Sequence, residues 1–314
     1  MDFKLNFEIE KSNRFINHEN QLLFLGSCFS DEISAKFNYN GFNTLSNPFG
    51  TIFHPIMLSQ FIDSCINEDY NSDRIFQRND IFLNWDASSL IYEIDKNKLE
   101  QKLIEIRTDF FNRLKSTHTL FITFGTSWGY HLIEDKALVA NCHKMPSSLF
   151  YKELSNLDLI VTKWTKTIER IKVINPSIQV VFTVSPVRHI KDGLIQNNQS
   201  KSILIESIRQ INQLSKTNYF PSYEIMIDEL RDYRFYKSDL IHPTEEAIDY
   251  IWSKIQETYF EVETIKIVKE INSLKKQISH HYLHPESKES QENKLKLESK
   301  IIDFEKSYPS IILR

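Results

Sequence analysis

Leu22-Leu23-Phe24-Leu25-Gly26-Ser27-Cys28-Phe29 is an apolar run that ends on a glycine, a hydroxyl and a thiol. A run without polar alternation suits a strand buried on both faces, as parallel strands are. The glycine permits a tight turn, and the residues near 30–39 have the length and pattern of a helix. Further along, Thr119 to Phe124, Gln179 to Val184 and Tyr223 to Ile227 are three more runs of this kind. Helix-like stretches lie near 97–115, 150–173 and 200–216. Strands alternating with helices predict a doubly wound α/β sheet.

Two segments depart from that alternation. Between Ile75 and Tyr92, two β-like runs flank an Asn79-Asp80 turn, which predicts an inserted hairpin, expected over the strand ends. From about Phe260 the chain becomes charged and helical. Ile265, Val268, Ile271, Leu274 and Ile278 mark one apolar face, and Leu295, Leu297, Ile301 and Phe304 mark another after a His284-Pro285-Glu286-Ser287 turn. The division is therefore a main domain over 1–258 and an αα-hairpin over 259–314. The hairpin reads as a solvated appendage or as a surface that pairs two copies of the chain.

The chain has 314 residues, 41% of them apolar and 25% charged, in the range of ordinary globular proteins. A net charge of −4 argues against a dedicated nucleic-acid binder, which needs a basic surface. Met1 to Glu8 alternates apolar and polar residues like a strand and lacks a signal-peptide pattern. No stretch reaches the roughly 20 apolar residues of a membrane span. Three scattered cysteines, Cys28, Cys65 and Cys142, suit neither a disulfide framework nor a metal site, so a reducing cytoplasm is expected.

Ligands of open α/β sheets bind beyond the carboxyl ends of the strands. Gly26-Ser27-Cys28 follows the first strand, where a helix start offers backbone N–H groups to an oxyanion and lowers a thiol's pKa. Gly125-Thr126-Ser127-Trp128 and Ser185-Pro186-Val187-Arg188-His189 follow the next two. After the last comes Asp239-Leu240-Ile241-His242-Pro243. Asp and His three apart let a carboxylate accept from an imidazole and hold its tautomer, as in a nucleophile-His-Asp triad.

With these residues in this order, the chain resembles the GSCFA domain family. The resemblance rests on Gly26-Ser27-Cys28-Phe29-Ser30 (the family usually ends this motif in Ala), Asn47-Pro48-Phe49-Gly50-Thr51, Phe124-Gly125-Thr126-Ser127-Trp128, Val139-Ala140-Asn141-Cys142-His143-Lys144, Thr183 to His189 and Asp239 to Pro243, and spans about residues 20 to 255. That family in turn looks like a branch of the SGNH or GDSL hydrolases. This implies a three-layer α/β/α, flavodoxin-like parallel sheet carrying the inserted hairpin and the helical hairpin.

The resemblance implies acyl transfer or ester hydrolysis without metal or organic cofactor. Its serine position is held by Cys28 and its aspartate position by Ser27, so either residue is a candidate nucleophile beside His242 and Asp239. Gly50 matches an oxyanion glycine. Ser127 stands where an asparagine is usual, leaving Thr126, Ser127 and Asn141 as candidate donors. His143 and His189 are candidate pocket residues, and His54 a weaker one. The implied substrate is a small acyl or acetyl ester, with a carbohydrate as one candidate alcohol. The rival readings are a cysteine amidase or peptidase and a non-catalytic binding module that keeps the fold.

Overall fold

The computed structural model describes residues 5, 8–281, 283–311 and 313. The strand expected over residues 1–8 therefore lies largely outside the described residues. The chain begins with β1 (Gln21–Gly26), α1 (Cys28–Tyr39), β2 (Asn43–Ser46) and α2 (Pro55–Ile66), followed by the hairpin β3 (Ile75–Arg78) and β4 (Ile81–Asn84). Then come α3 (Lys96–Leu114), β5 (Thr119–Phe124), β6 (Trp128–Leu132), β7 (Leu138–Val139), β8 (Phe150–Leu154) and α4 (Leu157–Ile174). The last part holds β9 (Gln179–Val184), α5 (Leu194–Ser215), β10 (Asn218–Tyr219), α6 (Ser222–Glu224), α7 (Glu245–Tyr259), α8 (Val262–Ile278) and α9 (Lys288–Ser307).

The central sheet is parallel throughout, in the order β10-β9-β5-β1-β2. Its core explains the apolar runs. Along β1, Leu23 and Leu25 pack into one cluster with Phe124, Trp164 and Leu204, whereas Leu22 and Phe24 pack into another with Phe37, Val181 and Trp252. A strand covered by helices on both faces needs apolar residues at every position. The result is the three-layer α/β/α fold. The chain runs outward from β1 to β2 and returns to β5 on β1's other side, so the sheet's switch point lies between β1 and β5, where a ligand crevice forms.

Two expected elements differ. Tyr223 to Ile227 is not a strand: it spans α6 and a widened helical turn over Ile225–Glu229, and the sheet's edge is instead the two-residue β10. Its apolar residues serve the same core as a helix, with Ile225 and Met226 fully buried. Residues 150–154 are strand β8, and the helix begins only at Leu157 behind the Asn156 cap.

β6 pairs with β7 and β8 in a separate antiparallel sheet inserted after β5. The ends of the insertion meet where the Ser155 N–H donates to Ser127 O at 2.9 Å. The hairpin β3–β4 has the expected turn, with Asn79 in the left-handed region at φ 54°. α8 and α9 form the C-terminal helical hairpin. In it Ile301 and Phe304 are buried against Ile271 and Leu274, but Leu295 is exposed.

Candidate active site

The turn after β1 is held from both sides. Gly26 has φ 134°, and a Cβ there would lie 2.1 Å from Thr123 O, so only glycine fits. Its N–H donates to Asn47 Oδ1 at 2.8 Å, and its carbonyl accepts from Ile52 N–H at 3.0 Å. Asn47 Nδ2 in turn donates to Asp31 at 3.0 Å. The loop after β2 thus clamps the turn that opens α1. The Ser30 hydroxyl, in the family's alanine position, is absorbed by bonds to Leu25 O and Thr123 Oγ1.

Ser27 and Cys28 differ in what they present. Ser27 is fully buried and caps α1, its Oγ accepting from Phe29 N–H at 3.3 Å. Cys28, the first helical residue, is partly exposed. Its thiol pKa is raised, against the expected lowering. Burial is the main cause and the carboxylates of Asp31 and Glu32 add to it, outweighing the N–H groups of Cys28 and Phe29. The thiol is therefore protonated at neutral pH and needs a base.

Asp239 and His242 sit together on the loop before α7. Asp239 Oδ2 lies 2.7 Å from His242 Nδ1, and Oδ1 accepts from the Ile241 and His242 N–H groups at 2.8 and 3.0 Å. The His242 backbone bond, then the imidazole and then the Ile241 bond hold the Asp239 pKa well below the usual carboxylate range. An ionised acceptor fixes the proton on Nδ1 and leaves Nε2 free of any hydrogen-bond partner among the described residues. Leu240 between them is left-handed at φ 58°, and its carbonyl accepts from Arg188 Nη1 at 3.1 Å. Lys237 on this loop lies 3.8 Å from Glu32 of α1, which brings the loop to the helix that Cys28 begins.

The candidate oxyanion donors are unevenly available. Gly50 closes a β-turn, its N–H donating to Asn47 O at 2.7 Å, and its φ of 74° explains the glycine. Ser127 is fully buried with its N–H on Ser200 Oγ, and Thr126 Oγ1 is 3.1 Å from the same hydroxyl. Asn141 Oδ1 accepts from His143 N–H at 2.7 Å, while its amide nitrogen donates to no partner among the described residues. His143 is fully buried, with Nε2 2.9 Å from Asn84 O and Nδ1 2.9 Å from Ser89 Oγ. His54 caps α2, its Nδ1 accepting from Ile56 N–H and its Nε2 lying 2.9 Å from Ser155 Oγ.

Lys201 is a residue that the strand-end reading passes over. It is 2% exposed, and its Nζ donates to Gly125 O at 2.8 Å and Ser185 O at 2.7 Å, joining the loops after β5 and β9. Burial pushes its pKa down to about 7, with Cys28 near enough to oppose the fall. His189 lies within electrostatic range of Lys201 and of His242. These four groups share one neighbourhood.

A cavity of about 770 Å³ opens at His189, lined also by Thr126, Asn141 and Ile241, the last of these the neighbour of His242. That volume suits a small organic ligand. Among the described residues no cluster of three or more His, Cys, Asp or Glu is set to hold a metal, and no helix is long and apolar enough to cross a membrane.

A three-layer α/β protein with a thiol turn at the sheet's switch point and an Asp-His pair on a later loop is the class these features define. The chain belongs to the GSCFA family, whose model matches residues 21–255. It is also similar to a solved periplasmic domain of a lipopolysaccharide acetyltransferase from Salmonella ser. Paratyphi A, at 9% identity and a TM-score of 0.36 over 78% of this chain and 84% of that one. A comparison with curated proteins returns no match.

Proposed function

We propose that this protein is an SGNH-type hydrolase or acyltransferase in which Cys28 is the nucleophile, His242 the general base and Asp239 its orienting carboxylate. The observation that carries the reading is the Asp239–His242 pair, which presents a free Nε2 from a loop tied to the helix of Cys28. Full burial of Ser27 in its capping role supports sulfur over oxygen as the attacking atom. Thiol and imidazole do not hydrogen-bond each other here, a looseness common in catalytic pairs before substrate aligns them.

His242 Nε2 takes the thiol proton as Sγ attacks the acyl carbon, and the tetrahedral oxyanion is met by the Cys28 N–H and the Asn141 amide. Collapse breaks the bond to the alkoxide, which leaves with the proton from His242. Water or an acceptor hydroxyl then attacks the thioester, giving its proton to His242 and restoring the thiol. An acyl or acetyl ester, with a carbohydrate as candidate alcohol, follows from the family resemblance alone. Three free thiols suit a reducing compartment such as the cytoplasm.

The test is acetylation by 4-nitrophenyl acetate. Mass spectrometry is expected to place the acetyl group on Cys28 after a burst of nitrophenolate. Cys28→Ala should abolish the burst, and His242→Ala should lower kcat/KM by about 10²–10⁴. An adduct elsewhere, or full turnover by Cys28→Ala, sinks the proposal.

A further inference from the structure

The cavity carries a charge pattern that acyl chemistry does not require. Its walls include Trp128, Tyr130 and Phe150, and four cations, Lys144, Lys152, Arg188 and Lys191, line it against the single carboxylate of Asp192. This is a positive concavity on a chain whose net charge is −4. Two of the cations are already engaged. Lys152 is ion-paired with Asp192, and Arg188 lies 3.9 Å over the Tyr236 ring while donating to Leu240 O. Lys144 and Lys191 make no hydrogen bond or ion pair among the described residues.

Backbone strain is concentrated at one of these lysines. His143 and Lys144 are successive left-handed residues, at φ 50° and 55°, a conformation unfavourable for both side chains. The buried imidazole of His143, gripped by Asn84 and Ser89, keeps them there. Deeper in, His189 Nε2 is buried and without a partner among the described residues. Its pKa is pushed down to about 3, first by burial and then by Lys201 and Lys152, so the imidazole is neutral at pH 7. Such an atom needs a hydrogen bond that a ligand can supply. The Cys142 thiol, also in the wall, feels both Lys191 and Lys152, so their field reaches the interior.

We propose that this cavity is a subsite for an anionic, ring-bearing group: the alcohol part of the ester carries a carboxylate or phosphate held by Lys144 and Lys191, with its ring against the aromatic wall. As a statement about substrate it rests on the acyl-transfer reading of Cys28 and His242. The binding does not.

Isothermal titration of the full chain with phenyl phosphate, 4-hydroxybenzoate and 4-hydroxybenzyl alcohol tests it, because only the first two are anionic. At least one anion is expected to bind about tenfold more tightly than the alcohol at low salt and to lose that advantage at high salt. The tighter anion identifies the group. Lys144→Gln with Lys191→Gln should weaken the anion by at least about fivefold, Lys144→Arg with Lys191→Arg should restore it, and circular dichroism melts should show both pairs folded. Equal binding of the alcohol, no binding of any compound, or indifference to the Gln pair overturns the proposal. Lysine-dependent anion binding without acetylation of Cys28 would keep the subsite and remove the enzyme; acetylation without anion preference would do the reverse.

Discussion

Asn47 accepts the Gly26 N–H and donates to Asp31, so one amide joins the end of β1 to the first turn of α1. Asn47→Ala would leave the Gly26 N–H without its acceptor and put a residue with no local hydrogen bond at φ 40°. A loss of about 2–4 kcal/mol in urea denaturation is expected, together with slower acetylation of Cys28. The histidines yield a pH prediction. Burial lowers the pKa of His54 and His189 to about 3 and of His143 to about 4, so each is neutral when folded and takes up a proton on unfolding below about pH 6.5. Their contribution is present above pH 6.5 and lost as pH falls toward 4. Stability measured between pH 6.5 and 5 should drop by up to about 1.4 kcal/mol per pH unit for each; a flat profile in that window would contradict their burial. The Asp239–His242 hydrogen bond was legible in the sequence as a three-residue spacing with chemical meaning, and the turn at Cys28 as the end of an apolar run, although the run read as the strand before Asp239 is helical. Asn47 was quoted only as part of a motif, since a loop asparagine does not announce the amide it will cap.

α5 acts as a staple between strands. Ser200 receives the Ser127 N–H and Lys201 gathers the carbonyls of Gly125 and Ser185. With its pKa pushed down to about 7 by burial, Lys201 withholds stability at neutral pH that returns as pH climbs toward 10.5. The wild-type protein should therefore gain stability relative to Lys201→Met between pH 7 and 10, seen as diverging denaturant midpoints; parallel midpoints would mean that the ammonium is not desolvated. A sequence signal existed for this residue. Lys201 shares the face of Leu204, Ile208 and Ile211, the buried stripe of an amphipathic helix, where a lysine is out of place. The elements hardest to read were those at edges. β2 and β10 are short and partly exposed, so no apolar run marks them, whereas the run at Tyr223 to Ile227 marks burial and not strand.

Across the whole molecule the boundary expected at residue 258 divides pattern more cleanly than packing. Val268 of α8 is buried in the same cluster as Phe37, Phe42 and Phe260, and Asn272 and Lys275 donate to Asn40 and Tyr39 at the end of α1. Removing 283–314 should cost about 2 kcal/mol by uncovering Ile271 and Leu274, while removing 261–314 should cost about twice that and cause aggregation on size exclusion, because it bares Phe42 and Phe260. Equal stability of the two truncations would mark α8 as an appendage. The antiparallel insertion after β5 has the opposite character. It supplies most of the cavity wall, yet it leaves and rejoins the domain at Ser127 and Ser155, two residues one hydrogen bond apart. A segment with so narrow a neck can vary while β5 and α4 keep their places, so the wall of the cavity can change with the parallel sheet and the turn at Cys28 left intact, provided that His143 still docks on Asn84 and Ser89.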